Sequence, residues 1–187
     1  MALILCEVEI NSIEQIRVDD KVVTFDGAFA DNTQRSVDSS DGNFYKDSVS
    51  YITIEPHLGT DSQSASSLLS TLSSWGSNHK LSGLAYLALK FKWNQDVFSG
   101  IPKVQAKIKG KKVVTLASNL SESSATFSAN PAFCLLDYLR NTRYGKGLAT
   151  TDIDLQSFYD ASQVAVTQVT PYSGASDINI FDCNAVL

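Results

Sequence analysis

Leu84-Ala85-Tyr86-Leu87-Ala88-Leu89-Lys90-Phe91-Lys92-Trp93 carries the clearest secondary-structure signal in the chain. Its side chains alternate with the two-residue period of a strand. Leu87, Leu89, Phe91 and Trp93 share one face; Leu84, Tyr86, Lys90 and Lys92 share the other. Trp93 is therefore expected in the core.

Upstream, residues 48–55 alternate too. Val49, Tyr51, Thr53 and Glu55 point one way, and Ser50, Ile52 and Ile54 the other. Pro56 then lacks the N–H that a ladder needs, so the strand is expected to stop there. Further strands are expected at 3–10, 13–18 and 21–25, with Asp19-Asp20 turning a tight hairpin. Residues 26–47 read as a long polar loop, a class that is usually functional or mobile. In 63–75, Leu68, Leu69, Leu72 and Trp75 recur at helical spacing in a serine-rich context, with Gly76 as a C-cap. Downstream, Val104–Ile108 and Val113–Leu116 flank Lys109-Gly110-Lys111, a hairpin signature. Asn130-Pro131 is an N-cap followed by proline at the first helical position, and the helix runs to about Arg140. Tyr144-Gly145-Lys146-Gly147 reads as a turn. Thr151-Asp152 opens a second helix with Ile153, Leu155, Phe158, Tyr159 and Ala165 inward. Residues 170–176 form a loop and Ile178–Phe181 a last strand. Strands first and a helix pair late give an α+β chain.

Composition narrows the function. The chain has 187 residues, 43% hydrophobic and 19% charged, with a net charge of −5. That is enough apolar matter for a real core. The acidic balance disfavours nucleic-acid binding, which needs a basic face. No stretch approaches the roughly 18 apolar residues of a membrane span. Ala2–Cys6 is too short for a signal-peptide core and reads as a buried strand. Cys6, Cys134 and Cys183 are odd in number and widely spaced, without CxxC. They read as small buried hydrophobes in a reducing compartment.

Candidate chemistry is thin. His57 and His79 are the two histidines, and no GxSxG elbow accompanies Gly76-Ser77-Asn78-His79. Asp19/Asp20 falls in a turn, and Asp152/Asp154 sits at a helix start, where acids favour the macrodipole. Lys103, Lys107, Lys109, Lys111 and Lys112 alternate with Val104, Ala106 and Ile108, as on the solvated face of a hairpin. Asp31-Asn32 and Asp38–Asn43 offer oxygens but lack EF-hand spacing. No phosphate-binding glycine motif occurs. No catalytic constellation emerges, and the residues point to a soluble α+β module that assembles with something.

Five stretches resemble, in order, the tail tip attachment protein J family of long-tailed phages and prophages, the central tail hub. Leu5-Cys6-Glu7-Val8-Glu9-Ile10 with Ile16-Arg17-Val18-Asp19-Asp20 is similar to the family's opening, which carries a glycine where Val8 stands and often Glu-Gly where Asn11-Ser12 stand. Val49–Ile54 running into Leu58-Gly59-Thr60-Asp61-Ser62-Gln63 resembles its LGT..Q segment. Leu84–Leu87 through Phe98-Ser99-Gly100-Ile101-Pro102, and Ile108–Val113, resemble its F..G.P and V.G(K/R)(K/R)V segments. Asn130-Pro131-Ala132-Phe133-Cys134-Leu135-Leu136-Asp137-Tyr138-Leu139, with Arg143-Tyr144-Gly145-Lys146-Gly147, is the most specific stretch. Phe181-Asp182-Cys183-Asn184-Ala185 resembles a CNA strand.

The resemblance covers nearly the whole chain and implies a hub segment of a protein that is commonly several times longer. The implied fold is a β-rich, mainly antiparallel hub-type part at 1–58 that includes loop 26–47. An inserted α/β subdomain at 59–120 (helix plus hairpin) follows. A helix pair and terminal strand at 121–187 return to the hub. The motif residues Leu58, Gly59, Thr60, Gln63, Asn130, Pro131, Phe133, Cys134, Leu136, Asp137, Leu139, Arg143, Tyr144, Gly145 and Gly147 then have packing roles. The implied function is structural and non-enzymatic, without cofactor or metal. The protein would sit in the virion tail tip after assembly in the host cytoplasm. Partners would be further copies of itself (a homotrimer), the distal tail protein, the tape-measure protein and other tail-tip proteins. Neither specific nucleic-acid binding nor a membrane span is implied. The alternative is a non-catalytic module for a host-surface glycan or protein, using Tyr45, Trp75 and Trp93. A cell-wall hydrolase would need an acid/base pair in a cleft, which the sequence does not supply.

Overall fold

A computed structural model describes residues 1–184. Its strands are β1 (Ala2–Glu7), β2 (Ile10–Val18), β3 (Lys21–Val22), β4 (Arg35–Ser36), β5 (Tyr45–Lys46), β6 (Val49–Ser50), β7 (Ile52–Leu58), β8 (Leu84–Phe91), β9 (Val104–Val113) and β10 (Thr126–Phe127). Then come α1 (Pro131–Arg140), α2 (Leu155–Ala165), β11 (Gln168–Val169) and β12 (Ile178–Asn179). The strand pairs are antiparallel and the fold is α+β. The chain forms two compact units, Met1–Lys111 and the part from Lys112 onward, so the expected segment 59–120 is divided between them.

In the first unit, β8 lies between β1 and β7, and β4 adds to β7. Both faces of this sheet are covered, which explains the near-continuous apolar run of β8. On one face Ile52, Ile54, Leu87 and Leu89 pack against Ile10, Ile13, Ile16 and Val18 of β2. On the other, Tyr86 and Ala88 are covered by Leu68 and Leu69, with Trp75 and Leu81 half-buried beside them. β2 pairs with β9 and, through a two-residue turn, with β3. The turn residues Asp19 and Asp20 have φ of 49° and 62°, as the hairpin reading requires.

Several expectations change. Trp93 is 65% exposed, because β8 ends at Phe91 and the tryptophan rests on Phe98 at 6.3 Å between rings. Pro56 does not stop β7, which pairs with β8 from Ile52 to Leu58. The Pro56 carbonyl accepts from Asn32 N–H on the side away from β8, so the proline's missing N–H faces the same way and costs the ladder nothing. Residues 63–75 form only a single 3₁₀ turn at Leu69–Thr71 instead of a helix. Local hydroxyls compete for the backbone there: Ser70 Oγ donates to Ser67 O, and Thr71 Oγ1 to Leu68 O. Lys109-Gly110-Lys111 turns no hairpin. It lies inside the single strand β9, where β2 offers partners from Val18 to Ile10 across one register shift between Ile13 and Gln15. The lysine row is internally compensated: Lys107 and Lys109 meet Glu14 at 3.1 and 3.0 Å, and Lys103 meets Asp20 at 3.2 Å. β1 is an edge strand with Ile4 50% exposed, not a buried one. Loop 26–47 is pinned, with Val37 and Phe44 in the core. Asp41 is buried and accepts from the N–H groups of Thr24, Asn43 and Phe44.

Val8 lies between β1 and β2 with φ of 94°, a region that a β-branched residue rarely occupies. It is held by Val8 N–H donating to Gly83 O at 2.7 Å. Val8→Gly relieves this strain at some entropic cost, and is expected to raise stability by about 1 kcal/mol. Urea denaturation reads this directly; a lower midpoint for the variant contradicts it.

In the second unit, β10 pairs with Lys112 and Val113 at the end of β9. Val113, Leu116, Phe133 and Leu136 form the core, with Ile153, Leu155, Phe158 and Tyr159 half-buried against it. α1 starts at Pro131, as its cap predicts. α2 starts at Leu155, capped by Asp154, and Thr151-Asp152 lie in the 3₁₀ turn before it. The last expected strand is short: β12 spans two residues, and Ala185 of the CNA segment lies outside the described residues.

Candidate assembly interface

The motif residues of the first unit build a staple. Gly59 N–H donates to Gln63 Oε1 at 3.0 Å, and Gln63 N–H donates to Thr60 O. The Gln63 amide then points Nε2 at the carbonyls of Lys80, Leu81 and Leu84, at 2.9, 2.6 and 3.1 Å. Gln63 is buried, so this fork joins the turn after β7 to the entry of β8. Gly59 has φ of +89°, and a Cβ there would lie 2.7 Å from Val8 O. Leu58 N–H is held by Asp31 Oδ1 at 2.8 Å.

The second motif frames α1. Asn130 Oδ1 accepts from Ala132 N–H, while Asn130 Nδ2 donates to Ser162 O of α2 at 2.9 Å. One side chain thus caps one helix and ties it to the other. Asn130→Ala is expected to cost about 1–3 kcal/mol, since it removes a cap and leaves buried polar atoms unpaired. Thermal unfolding of the chain measures it, and a loss below 0.5 kcal/mol would sink this account.

Phe133 and Leu136 enter the core; Leu139 is half-buried. Past the helix, Asn141 Oδ1 accepts from the N–H groups of Arg143 and Tyr144, and the Tyr144 hydroxyl donates to Asp137. Lys146 N–H reaches Tyr138 O, Gly147 N–H reaches Asn141 O, and Gly147 has φ of +65°. Cys134 is half-buried. Cys183 is exposed, against the expectation of three buried thiols.

These motifs are internal supports, and they present outward both apolar side chains and the exposed Arg143 and Lys146. On α1, Leu135 and Tyr138 are 50% and 41% exposed one turn apart. Val169 and Ile178 stand directly opposite each other on β11 and β12, and are 40% and 52% exposed. The ribbon continues through Phe181 N–H to Ala165 O, with Phe181 57% exposed. Where exposed apolar side chains join into a contiguous patch, they mark an interaction site. Among the described residues no further strand pairs with the ribbon, and an unpaired strand edge is another route to association. Sequence reasoning found β12 but not its partner, because Gln168-Val169 is too short to show alternation.

It also missed a buried polar cluster. Glu55 is 1% exposed and accepts from Ser66 Oγ, Ser67 N–H, Ser67 Oγ and Leu68 N–H at 2.7–3.0 Å. His57 is fully buried, with Nε2 3.3 Å from Glu55 Oε1 at an angle too poor for a good hydrogen bond. Its ring stacks on Tyr86 at 4.2 Å. Burial, and then the Glu55 charge, push the Tyr86 hydroxyl up to about 12. A chain search for catalytic histidines passes over such a site, because its donors come from a loop ten or more residues away. The other histidine, His79, is engaged locally, accepting from Gly76 N–H at Nδ1. Asp19 Oδ1 accepts from Lys103 N–H, and Asp154 is a helix cap. The carboxylate pairs are thus built into turns and helix starts. Tyr45, Trp75 and Trp93 are not joined by any ring contact among the described residues; Trp75 stacks on His79.

No family model matches the chain. The chain is similar to the baseplate hub protein pb3 of Escherichia phage T5, 30% identical over 90 residues. That match covers 48% of this chain and 9% of the phage protein, so the chain spans a small part of the length of the curated relative that it matches.

Proposed function

We propose that the chain is a structural component of a phage tail baseplate or tail hub. The similarity to a baseplate hub protein over 48% of the chain carries this reading. The apolar surface of the second unit supports it, since an assembly subunit keeps such surface for its neighbours. In the finer form of the proposal, the chain belongs to a central hub at the host-facing end of a prophage or phage tail. It stands there as a trimer beside the distal tail and tape-measure proteins, and its role is positional, without turnover.

Immunogold electron microscopy of induced particles, paired with mass spectrometry of the same particles, tests the proposal. Gold at the head-distal end of tails is the expected result. Absence of both label and peptides from intact tails would overturn it. At residue level, Leu135→Lys together with Ile178→Lys is expected to reduce incorporation into tails at least tenfold while leaving the melting profile within about 2 °C, as for exposed sites. Normal incorporation would remove this surface from the interface.

A further inference from the structure

Cys134 and Cys183 are far apart in sequence but converge in the second unit. Cys134 Sγ donates to Ser128 O at 3.5 Å, and Cys183 N–H donates to Ala129 O at 2.6 Å. The two cysteines are therefore anchored on consecutive carbonyls, and each thiol lies within electrostatic reach of the other. We infer that Cys134 and Cys183 form an oxidisable thiol pair, which a small-molecule disulfide converts to an intramolecular disulfide that ties the segment after β12 to the start of α1.

The order of events follows from exposure. Cys183 is exposed and Cys134 half-buried. Burial, then the neighbouring Cys183 thiol and Asp137, push the Cys134 thiol up to about 11, so it is the poorer first nucleophile. The Cys183 thiolate attacks one sulfur of glutathione disulfide, forming a Cys183–glutathione bond and releasing one glutathione thiolate. Cys134 then gives its proton to solvent and attacks Cys183 Sγ. The protein disulfide forms and the second glutathione thiolate leaves. Two electrons pass from the protein thiols to glutathione disulfide, which ends as two glutathione molecules. Cys6 stands on β1 of the first unit, with Sγ donating to Glu7 O, and serves as an internal control.

The test uses the full chain, purified reduced and incubated undenatured with glutathione disulfide. The expected product has lost the mass of two hydrogens, shows a Cys134–Cys183 peptide on mapping, and keeps Cys6 open to alkylation. Its denaturation midpoint rises, and dithiothreitol reverses the rise. Cys183→Ser abolishes the product. Cys134→Ser stops at the stable Cys183–glutathione adduct. Oxidised samples in which both cysteines are still alkylated, or are linked only between molecules or to Cys6, would overturn the inference. So would an unreactive Cys183 in the Cys134→Ser variant.

Discussion

Glu55→Ala is expected to lower the stability of the protein by about 3–5 kcal/mol, the loss typical of breaking one side of a buried charged network. The alanine leaves Ser66 Oγ and Leu68 N–H buried without their acceptor and removes the carboxylate 3.3 Å from His57 Nε2. The network also fixes an acid limit. Burial alone would raise the Glu55 carboxyl, but the His57 contact and the donors from Leu68 and Ser67 outweigh it and hold the group at about 2, below its ordinary 4.5. A folded-state value below the unfolded one stabilises the protein above pH 4.5, and that contribution is lost as pH falls toward 2. Its size is on the order of 3 kcal/mol. Denaturant titrations at pH 7 and pH 3 check both statements. The wild type should lose much of its stability between the two, and Glu55→Gln, which keeps the shape without the charge, should lose visibly less. Equal pH slopes for the two proteins would rule out Glu55 as the source.

The second large effect is expected at Gly145. An added Cβ would lie 1.7 Å from Tyr138 O and 2.8 Å from Asn141 O. Both obstacles are backbone, and they belong to the turn that closes α1, so no side chain can swing aside. Gly145→Ala is expected to cost 3 kcal/mol or more, as a forced backbone rearrangement does. Hydrogen exchange across residues 131–148 should accelerate by at least a hundredfold where opening becomes local. Gly42→Ala is the matched control: nothing lies within 4 Å of its Cβ, and its effect should stay within about 0.5 kcal/mol. Equal behaviour of the two variants would show that the turn can yield.

The local rules that succeeded were those with a complete mechanism inside a few residues. Asn130-Pro131 sets a cap and a first helical turn, and Asp19-Asp20 adopts the two positive φ values that a tight hairpin needs. The rules that failed were those whose outcome depends on a distant partner. Lys109-Gly110-Lys111 has hairpin chemistry, yet β2 supplies a longer template and keeps β9 one continuous strand. Leu68, Leu69 and Leu72 have helical spacing, but Glu55 draws the N–H groups of Ser67 and Leu68 out of any helical ladder. Pro56 reads as a breaker until the side of the sheet that it faces is known. Of the candidate site, the motif residues were visible as a pattern, while the work each performs was not. Gln63 needs carbonyls at residues 80–84, and Asn130 needs Ser162. Of the exposed ribbon only the Ile178 strand was legible, and its partner emerged when Val169 met Ile178.

The Gln63 fork makes position 63 a reader of charge as well as of size. Glutamate has almost the same volume and reach as glutamine, and one nucleotide change converts one codon into the other. Three carbonyl oxygens converge on Nε2, so the conversion replaces a donor with a fourth acceptor and, when ionised, a buried negative charge. Mutational drift at this position therefore meets a wall against its nearest isostere. Purging there falls on a substitution that a volume-based view of conservative replacement would pass as harmless.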